Sequence, residues 1–548
     1  MMAKLGQVLL AIVMMVVFGW PAVATVRMAV RETSATVDDA ARDLPSGRYL
    51  GMRPMSLAKN TIALVGLTAM MAIPPGLVLA WLLFRTDLFG RRALMMLLGL
   101  SLFVPMPLHA VAWLGSFGNA GRSQALAWVP MLSGMWGAAF VHATAALPWV
   151  VFLSGVGLLT VESELEDAAR LDLSTWRVVM QISLRRALGA ILGSLLILAV
   201  LTAGDMTVTD LLQIRTYAEE SYIQAQLHMG TNAAAAVAAG PLILVLGGLI
   251  VWGASALLKA DPARLPSGSV RARTWPLGRG RVPCGLLCLV IVGNLVALPI
   301  YGLVWRAGRV GSPPSWSVNG LVGSLQRAWP DLISPTSPGP WYIAWDSRPM
   351  IATLVWSATA ATIAVMIAWP LAWLSRDRGT WRWVAAVAAA LGLAAPGPVV
   401  GEALKRAYQQ VPFINDTPAM LVLAYITRTL PYALLVIWPA VRTIPREHQE
   451  AAMLDGLNPW LQFLRIGFPL TRGATLAAWG VAFVLAMGEL PAANFVANPG
   501  RWPVALEVWR LLHTGVESRL AGVGLILLFG VGVAGSATAF AIHRAYRV

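Results

Sequence analysis

Glu166-Asp167-Ala168-Ala169-Arg170-Leu171-Asp172 and Glu450-Ala451-Ala452-Met453-Leu454-Asp455-Gly456 are two polar islands between long apolar runs. Each is followed by a tryptophan, Trp176 or Trp460, and six residues later by an isoleucine, Ile182 or Ile466. Each then enters an apolar segment that closes on glycine, an acid and an apolar residue: Gly204-Asp205-Met206 and Gly488-Glu489-Leu490. From the tryptophan to the acid the copies keep a constant separation of 284 positions. A register held over that distance marks an internal duplication.

The runs around these islands are membrane-like. The chain has 548 residues, 57% hydrophobic and 12% charged, with mean hydropathy +0.68. Soluble chains carry about 25% charged residues. A bilayer-spanning helix needs roughly 20 apolar residues, and about twelve such runs can be drawn. They fall at 5–26, 57–84, 93–116, 131–158, 187–212 and 233–258, then at 282–305, 350–374, 383–401, 419–441, 473–490 and 519–542. The fold class expected is therefore an all-α polytopic membrane protein of about 12 transmembrane helices in two homologous six-helix halves. Residues 1–258 form the first half, 259–281 a basic, Pro- and Gly-containing linker, and 282–548 the second half. Ala80-Trp81-Leu82 and Ala372-Trp373-Leu374, each followed by a charged turn, repeat the plan.

Leu5–Val26 ends in a signal-peptidase-like Ala22-Val23-Ala24, but its uncharged run is long for a signal segment and reads as a retained helix. Pro74-Pro75 is expected to kink the second helix. Ser163 and Glu166 have capping-box spacing, so a short helix is expected to begin there. Residues 27–56 and 306–349 read as polar outer loops. With the amino terminus inside, inner segments hold 23 of the 41 Lys and Arg and 11 of the 26 acids. This bias places both termini and both polar islands in the cytoplasm.

The net charge of +15 is spread over many short loops, which suits topology and anionic lipid rather than nucleic acid. Cys284 and Cys288, one helical turn apart in an apolar run, suit packing rather than a zinc site or a disulfide framework. The six histidines are scattered and suggest no metal site. A phosphate-binding loop requires Gly-Lys before Ser or Thr. None of the four lysines, Lys4, Lys59, Lys259 and Lys405, follows a glycine. Any ATPase must therefore be a separate subunit.

The two islands resemble the EAA loop of permease subunits of binding-protein-dependent ABC importers. The second copy follows that pattern through Glu450-Ala451-Ala452, Gly456, Ile466, Pro469 and Leu470. The first carries Asp167 at the Glu position, Leu173 at the Gly position and Arg185 for the Pro, with one residue fewer before Trp176. Two copies in one chain are similar to the fused permeases of ferric-iron-type and thiamine-type importers.

The resemblance implies an inner-membrane transporter subunit, not an enzyme. It binds no cofactor itself. Its partners would be a cytoplasmic ABC ATPase, in two copies, which uses the ATP, and a periplasmic substrate-binding protein. It implies that Glu166, Asp167, Ala168, Ala169 and Asp172, with Glu450, Ala451, Ala452, Asp455 and Gly456, couple the chain to that ATPase. A helix merely lying on the membrane is the alternative for either island alone.

Asp205 and Glu489, with Asp210 and Asn494 nearby, are candidate pathway residues, because ionisable groups in apolar segments are costly. Ordinary positions at wet helix ends are the other reading. Gly488-Glu489-Leu490-Pro491-Ala492 leans toward ferric iron among substrates; thiamine, polyamine and phosphonate systems share much of the pattern. A competing class is a secondary transporter of the major-facilitator type, whose loop between helices 2 and 3 is similar to Asp87-Leu88-Phe89-Gly90-Arg91-Arg92. It leaves the two islands unexplained. A polytopic membrane enzyme would need a clustered acid/base or metal constellation, which the sequence does not suggest.

Overall fold

The computed structural model describes residues 2–27, 54–118, 129–228, 234–259, 273–311, 315–334, 348–376, 379–498, 502–515 and 517–545. Residues 28–53 of the first outer loop, 312–314 and 335–347 of the second and 260–272 of the linker, including Ser46 and Ser337, lie outside the described residues.

In chain order the helices are α1 (Leu5–Arg27), α2 (Pro54–Arg85), α3 (Arg91–Ser101), α4 (Met106–Phe117), α5 (Gly134–Leu159), α6 (Ser163–Asp172) and α7 (Leu188–Ala203). There follow α8 (Thr207–Leu211), α9 (Tyr217–His228), α10 (Ala234–Lys259), α11 (Arg281–Gly308), α12 (Val318–Ile333), α13 (Pro349–Leu374) and α14 (Thr380–Ala394). The chain continues through α15 (Gly397–Tyr408), α16 (Pro418–Arg442), α17 (Arg446–Leu454), α18 (Arg472–Gly488), α19 (Val504–His513) and α20 (Glu517–Ala545). Lipid offers no partner for backbone N–H and C=O, so apolar runs of this length close their hydrogen bonds internally as helices.

The protein is an all-α, multi-pass membrane protein. Among the described residues, six helices are long and apolar enough to cross a bilayer: α1, α2, α5, α11, α13 and α16. Four bent pairs raise the number of spans to as many as ten. α10 and α20 stand where the sixth and twelfth apolar runs were expected.

The bends correct the sequence expectation of straight helices at 93–116 and 383–401. α3 meets α4 at 106°, and α14 meets α15 at 112°. Pro105 and Pro396 stand at the two corners, without an N–H to continue the helix. Ala395, before Pro396, is extended, as a residue preceding proline prefers. The expected helix 187–212 is also two pieces, because α7 stops at Ala203 and a short α8 follows Asp205. The polar loop 306–349 contains a two-strand hairpin, Arg309–Val310 against Ser315–Trp316, and the 16-residue α12. By contrast α2 runs through Pro74-Pro75 as one helix. Gly76 lets it approach α5 there: a Cβ at Gly76 would come within 2.5 Å of the Val150 side chain.

The first helix of each half packs on the other half. Leu10, Met14, Val17 and Phe18 of α1 join the core of α13, α15 and α16. The Tyr408 hydroxyl donates to the Val16 carbonyl at 2.5 Å, and the Trp20 indole to the Ala407 carbonyl at 3.1 Å. Reciprocally, Cys288, Val292 and Leu295 of α11 belong to the core around α2, α3 and α5. Cys288 is fully buried there, as a packing residue. Ser116 of α4 donates to the Leu298 carbonyl at 2.6 Å. Gly302 makes this contact possible, since a Cβ there would lie 2.6 Å from the Ala112 carbonyl oxygen.

Candidate functional site

The duplication persists in the geometry of the two loops. A π-helical turn occupies Val179–Ser183 in the first copy and Phe463–Gly467 in the second, again 284 positions apart. The helix carrying each turn then bends into the next span, by 64° into α7 and by 71° into α18.

Each loop is pinned to the end of a transmembrane helix by an arginine. In the first copy Arg85, the last residue of α2, donates through Nη2 to Glu166 and through Nη1 to the Leu158 carbonyl at 2.5 Å. Ser183, inside the π turn, donates to the other Glu166 oxygen at 2.6 Å. Arg85 and Glu166 are both fully buried. In the second copy Arg376, after α13, donates to the buried Gln449. Both guanidinium groups lie over a tryptophan of the preceding turn, Trp81 at 5.6 Å and Trp373 at 4.5 Å.

This pairing corrects two sequence expectations. Glu166 does not cap α6; the helix begins at Ser163 without a side-chain cap, because the Glu166 carboxylate is drawn to Arg85. Nor is Glu166 available to a partner surface. Its structural counterpart is Gln449, one position before Glu450.

The remaining island residues are differently placed. Asp167, Ala168 and Asp172 are exposed and Ala169 is partly so. Glu450, Ala451, Asp455 and Gly456 are exposed, while Ala452 is buried. Large apolar side chains stand beside them at the surface: Leu171 is 86% exposed, Trp176 70% and Leu454 90%. Exposed apolar residues ringed by charge are the composition of an interaction surface. The loops turn differently. Gly456 has φ of +74°, open to glycine without a Cβ penalty, whereas Leu173 is extended at φ −118°.

A second finding lies in the linker. Its end, Arg273 to Leu277, returns to the first loop as a strap. Trp275 forms a parallel bridge with Thr86, its N–H donating to the Arg85 carbonyl at 2.8 Å. The Leu277 N–H donates to Asp87 at 2.9 Å. The Trp275 ring packs on Trp81 at 6.0 Å, with Arg170 and Arg273 over it at 5.4 and 5.1 Å. Arg273 also pairs with Asp167. The chain thus touches the Asp167–Arg170 edge of its own first loop, leaving Asp167 and Arg170 exposed. A lone tryptophan in a basic, Pro- and Gly-containing segment was the available signal.

The acidic residues converge as well. Asp205 and Glu489, one from each half, line a single cavity between the corner of α3 and α4, α5, α7, α16 and α18. Asp205 accepts from the Val208 N–H at 2.9 Å, and His142 Nε2 lies 3.8 Å from its carboxylate. Glu489 accepts from the Ala492 N–H at 2.9 Å and from Arg428 Nε at 3.4 Å. Arg428 Nη1 is held by the carbonyls of Gly392 and Ala395, at 2.9 and 2.8 Å. Asp210 and Asn494 do not line this cavity. Asp210 instead faces His513 of α19 at 3.4 Å. Sequence reasoning missed Arg428, His109 and His142. Arg428, a charge in the middle of the apolar α16, was legible by the rule applied to Asp205.

Residues 348–543 match the family described as binding-protein-dependent transport system inner membrane component. The match lies within the second half of the chain, and the first half lies outside it. The chain is similar to the putrescine transport system permease protein PotI of Escherichia coli (strain K12), 30% identical over 123 residues, 22% of this chain and 44% of that protein. It is 34% identical over 102 residues to the inner membrane ABC transporter permease protein YcjP of the same organism, 18% of this chain and 36% of that one. These alignments span less than half the length of either relative. A likeness of 20% identity runs over 495 residues to the Fe(3+)-transport system permease protein FbpB 2 of Haemophilus influenzae, 88% of this chain and 89% of that protein.

Proposed function

We propose that the chain is a fused permease of an ATP-driven importer, both halves in one polypeptide, which passes a solute from a periplasmic binding protein to the cytoplasm. The observation that carries this reading is the pair of matched loops, each bent at the same π turn, each pinned by an arginine and each presenting exposed apolar residues beside acids. Such a surface suits a partner. The partner is a cytoplasmic ATPase in two copies, one on each loop, because the chain has no phosphate-binding loop of its own.

Asp167, Ala168, Ala169, Asp172 and the Glu450–Gly456 segment make the contact, and Glu166 positions the first loop from inside. Asp205 and Glu489 line the solute route. Both termini and both loops face the cytoplasm. Ferric iron is the finer reading of the solute, supported by Gly488-Glu489-Leu490-Pro491-Ala492 and by the end-to-end likeness to an iron permease.

Two experiments test it. Affinity purification of the full chain from native membranes should retain a subunit that binds ATP; a chain that transports without one is a secondary transporter. Single cysteines at Ser46 and Ser337, in a background lacking Cys284 and Cys288, should react with an impermeant thiol reagent in whole cells, and one at Thr160 should not. The reverse pattern inverts the topology.

A further inference from the structure

The cavity shared by Asp205 and Glu489 is not symmetric in chemistry. On the second-half side the carboxylate of Glu489 faces Arg428, whose guanidinium is itself anchored to two backbone carbonyls. That arginine is held in place rather than turned toward a solute. On the first-half side no cation among the described residues pairs with Asp205. His142 faces it instead, and His142 Nε2, in a side chain 98% buried, has no hydrogen-bond partner among the described residues. The nearby His109 is engaged, accepting from the Trp113 indole at 3.1 Å. A buried polar nitrogen without a partner is costly and calls for an explanation.

We propose that Asp205 and His142 form a resident binding station for a hydrogen-bond-donating cation, within the permease itself and on its first-half side only. The inference rests on the importer reading above and concerns the charge class its route holds. Asp205 Oδ2 and His142 Nε2 are 3.8 Å apart, so one donor placed about 2.8 Å from each bonds both. The imidazole accepts at Nε2 with its proton on Nδ1. Two carboxylates against one guanidinium leave the ionic groups of this wall short by one positive charge. An anion would find Arg428 already occupied. Two sources present the required chemistry: an organic ammonium, through its N–H groups, and a hydrated metal ion, through its bound water. Among the described residues no group of three or more His, Cys, Asp or Glu is placed to hold a bare metal ion.

The test uses the full chain in lipid nanodiscs with four radiolabelled probes: putrescine and spermidine as ammonium cations, ferric ion supplied from citrate, and trehalose as a neutral control. Saturable binding of a polyamine or of ferric ion is expected, and trehalose should not bind. Asp205→Asn keeps an oxygen for the Val208 N–H and should weaken cation binding about tenfold or more. His142→Phe keeps the ring volume, removes Nε2 and should weaken it about fivefold. Polyamine binding assigns the station to an ammonium and ferric binding to a hydrated metal. The proposal is overturned if neither cation binds, if trehalose binds equally, or if binding ignores both substitutions. Capture of the ATPase subunit on the same nanodiscs separates the two readings. Capture without cation binding removes the station and leaves the importer, and cation binding without capture does the reverse.

Discussion

Replacing Glu166 tests how the first loop is held. Its carboxylate is fully buried and bonded by Arg85 and Ser183, and Arg85 is equally buried. Glu166→Ala strands a guanidinium charge away from water, a loss of about 3–5 kcal/mol when one partner of a buried pair is removed. It also leaves the Ser183 hydroxyl without its acceptor, about 1 kcal/mol more. Glu166→Gln is a different perturbation, because an oxygen still faces Arg85. The second copy already works this way, with Gln449 accepting from Arg376. Losing only the charge assistance should cost about 1–2 kcal/mol. The double variant Arg85→Met with Glu166→Leu should cost far less than the two single losses together, since no buried charge is left behind. The assay is denaturant unfolding in detergent, followed by tryptophan fluorescence, with ATPase capture measured on the same preparations. The reasoning fails if Gln is as damaging as Ala, or if the double variant is simply additive.

Gly456→Leu places a side chain at φ +74° and should cost about 1–2 kcal/mol of loop stability, lowering ATPase capture and uptake more than Leu173→Gly does at its extended position; the opposite ranking would make the first loop the dominant dock. Trp275→Ala removes the strap's aromatic and cation contacts, together about 1–3 kcal/mol, and amide exchange over 163–172 should rise about tenfold or more by mass spectrometry. Glu489→Gln can keep the Ala492 cap but loses the charge facing Arg428, so uptake should fall while ATPase capture is unchanged; unaltered uptake removes Glu489 from the route. Glu219, on α9 outside the spanning helices, is pushed up to about 8 by burial first and by Asp210 second. Its contribution is therefore fully present below the unfolded carboxyl range near pH 4.5 and is lost as pH rises to about 8. Thermal unfolding should show stability falling over that window, and Glu219→Gln should flatten the fall.

The sequence by itself determined the membrane class, the apolar runs that become helices and the 284-residue register of the two islands. These depend on composition along the chain and on a repeat register, which need no knowledge of what packs where. It also marked Asp205 and Glu489, because a charge in an apolar run stands out against its neighbours. Only the tertiary structure decided what those residues face. Arg85 and Glu166 are 81 positions apart, and nothing local distinguishes a carboxylate that docks a partner from one that is buried on an arginine. The capping-box spacing of Ser163 and Glu166 was a fair local signal, overruled by a buried charge that needed its counterion. The corners at Pro105 and Pro396 needed the surrounding bundle, since α2 passes through two prolines and stays one helix. The exchange of α1 and α11 between halves, the strap at Trp275 and the convergence of Asp205 with His142 and Glu489 are long-range contacts between apolar surfaces or isolated polar atoms. Periodicity records which face of a helix is apolar; which neighbour covers that face is settled by how the whole chain packs.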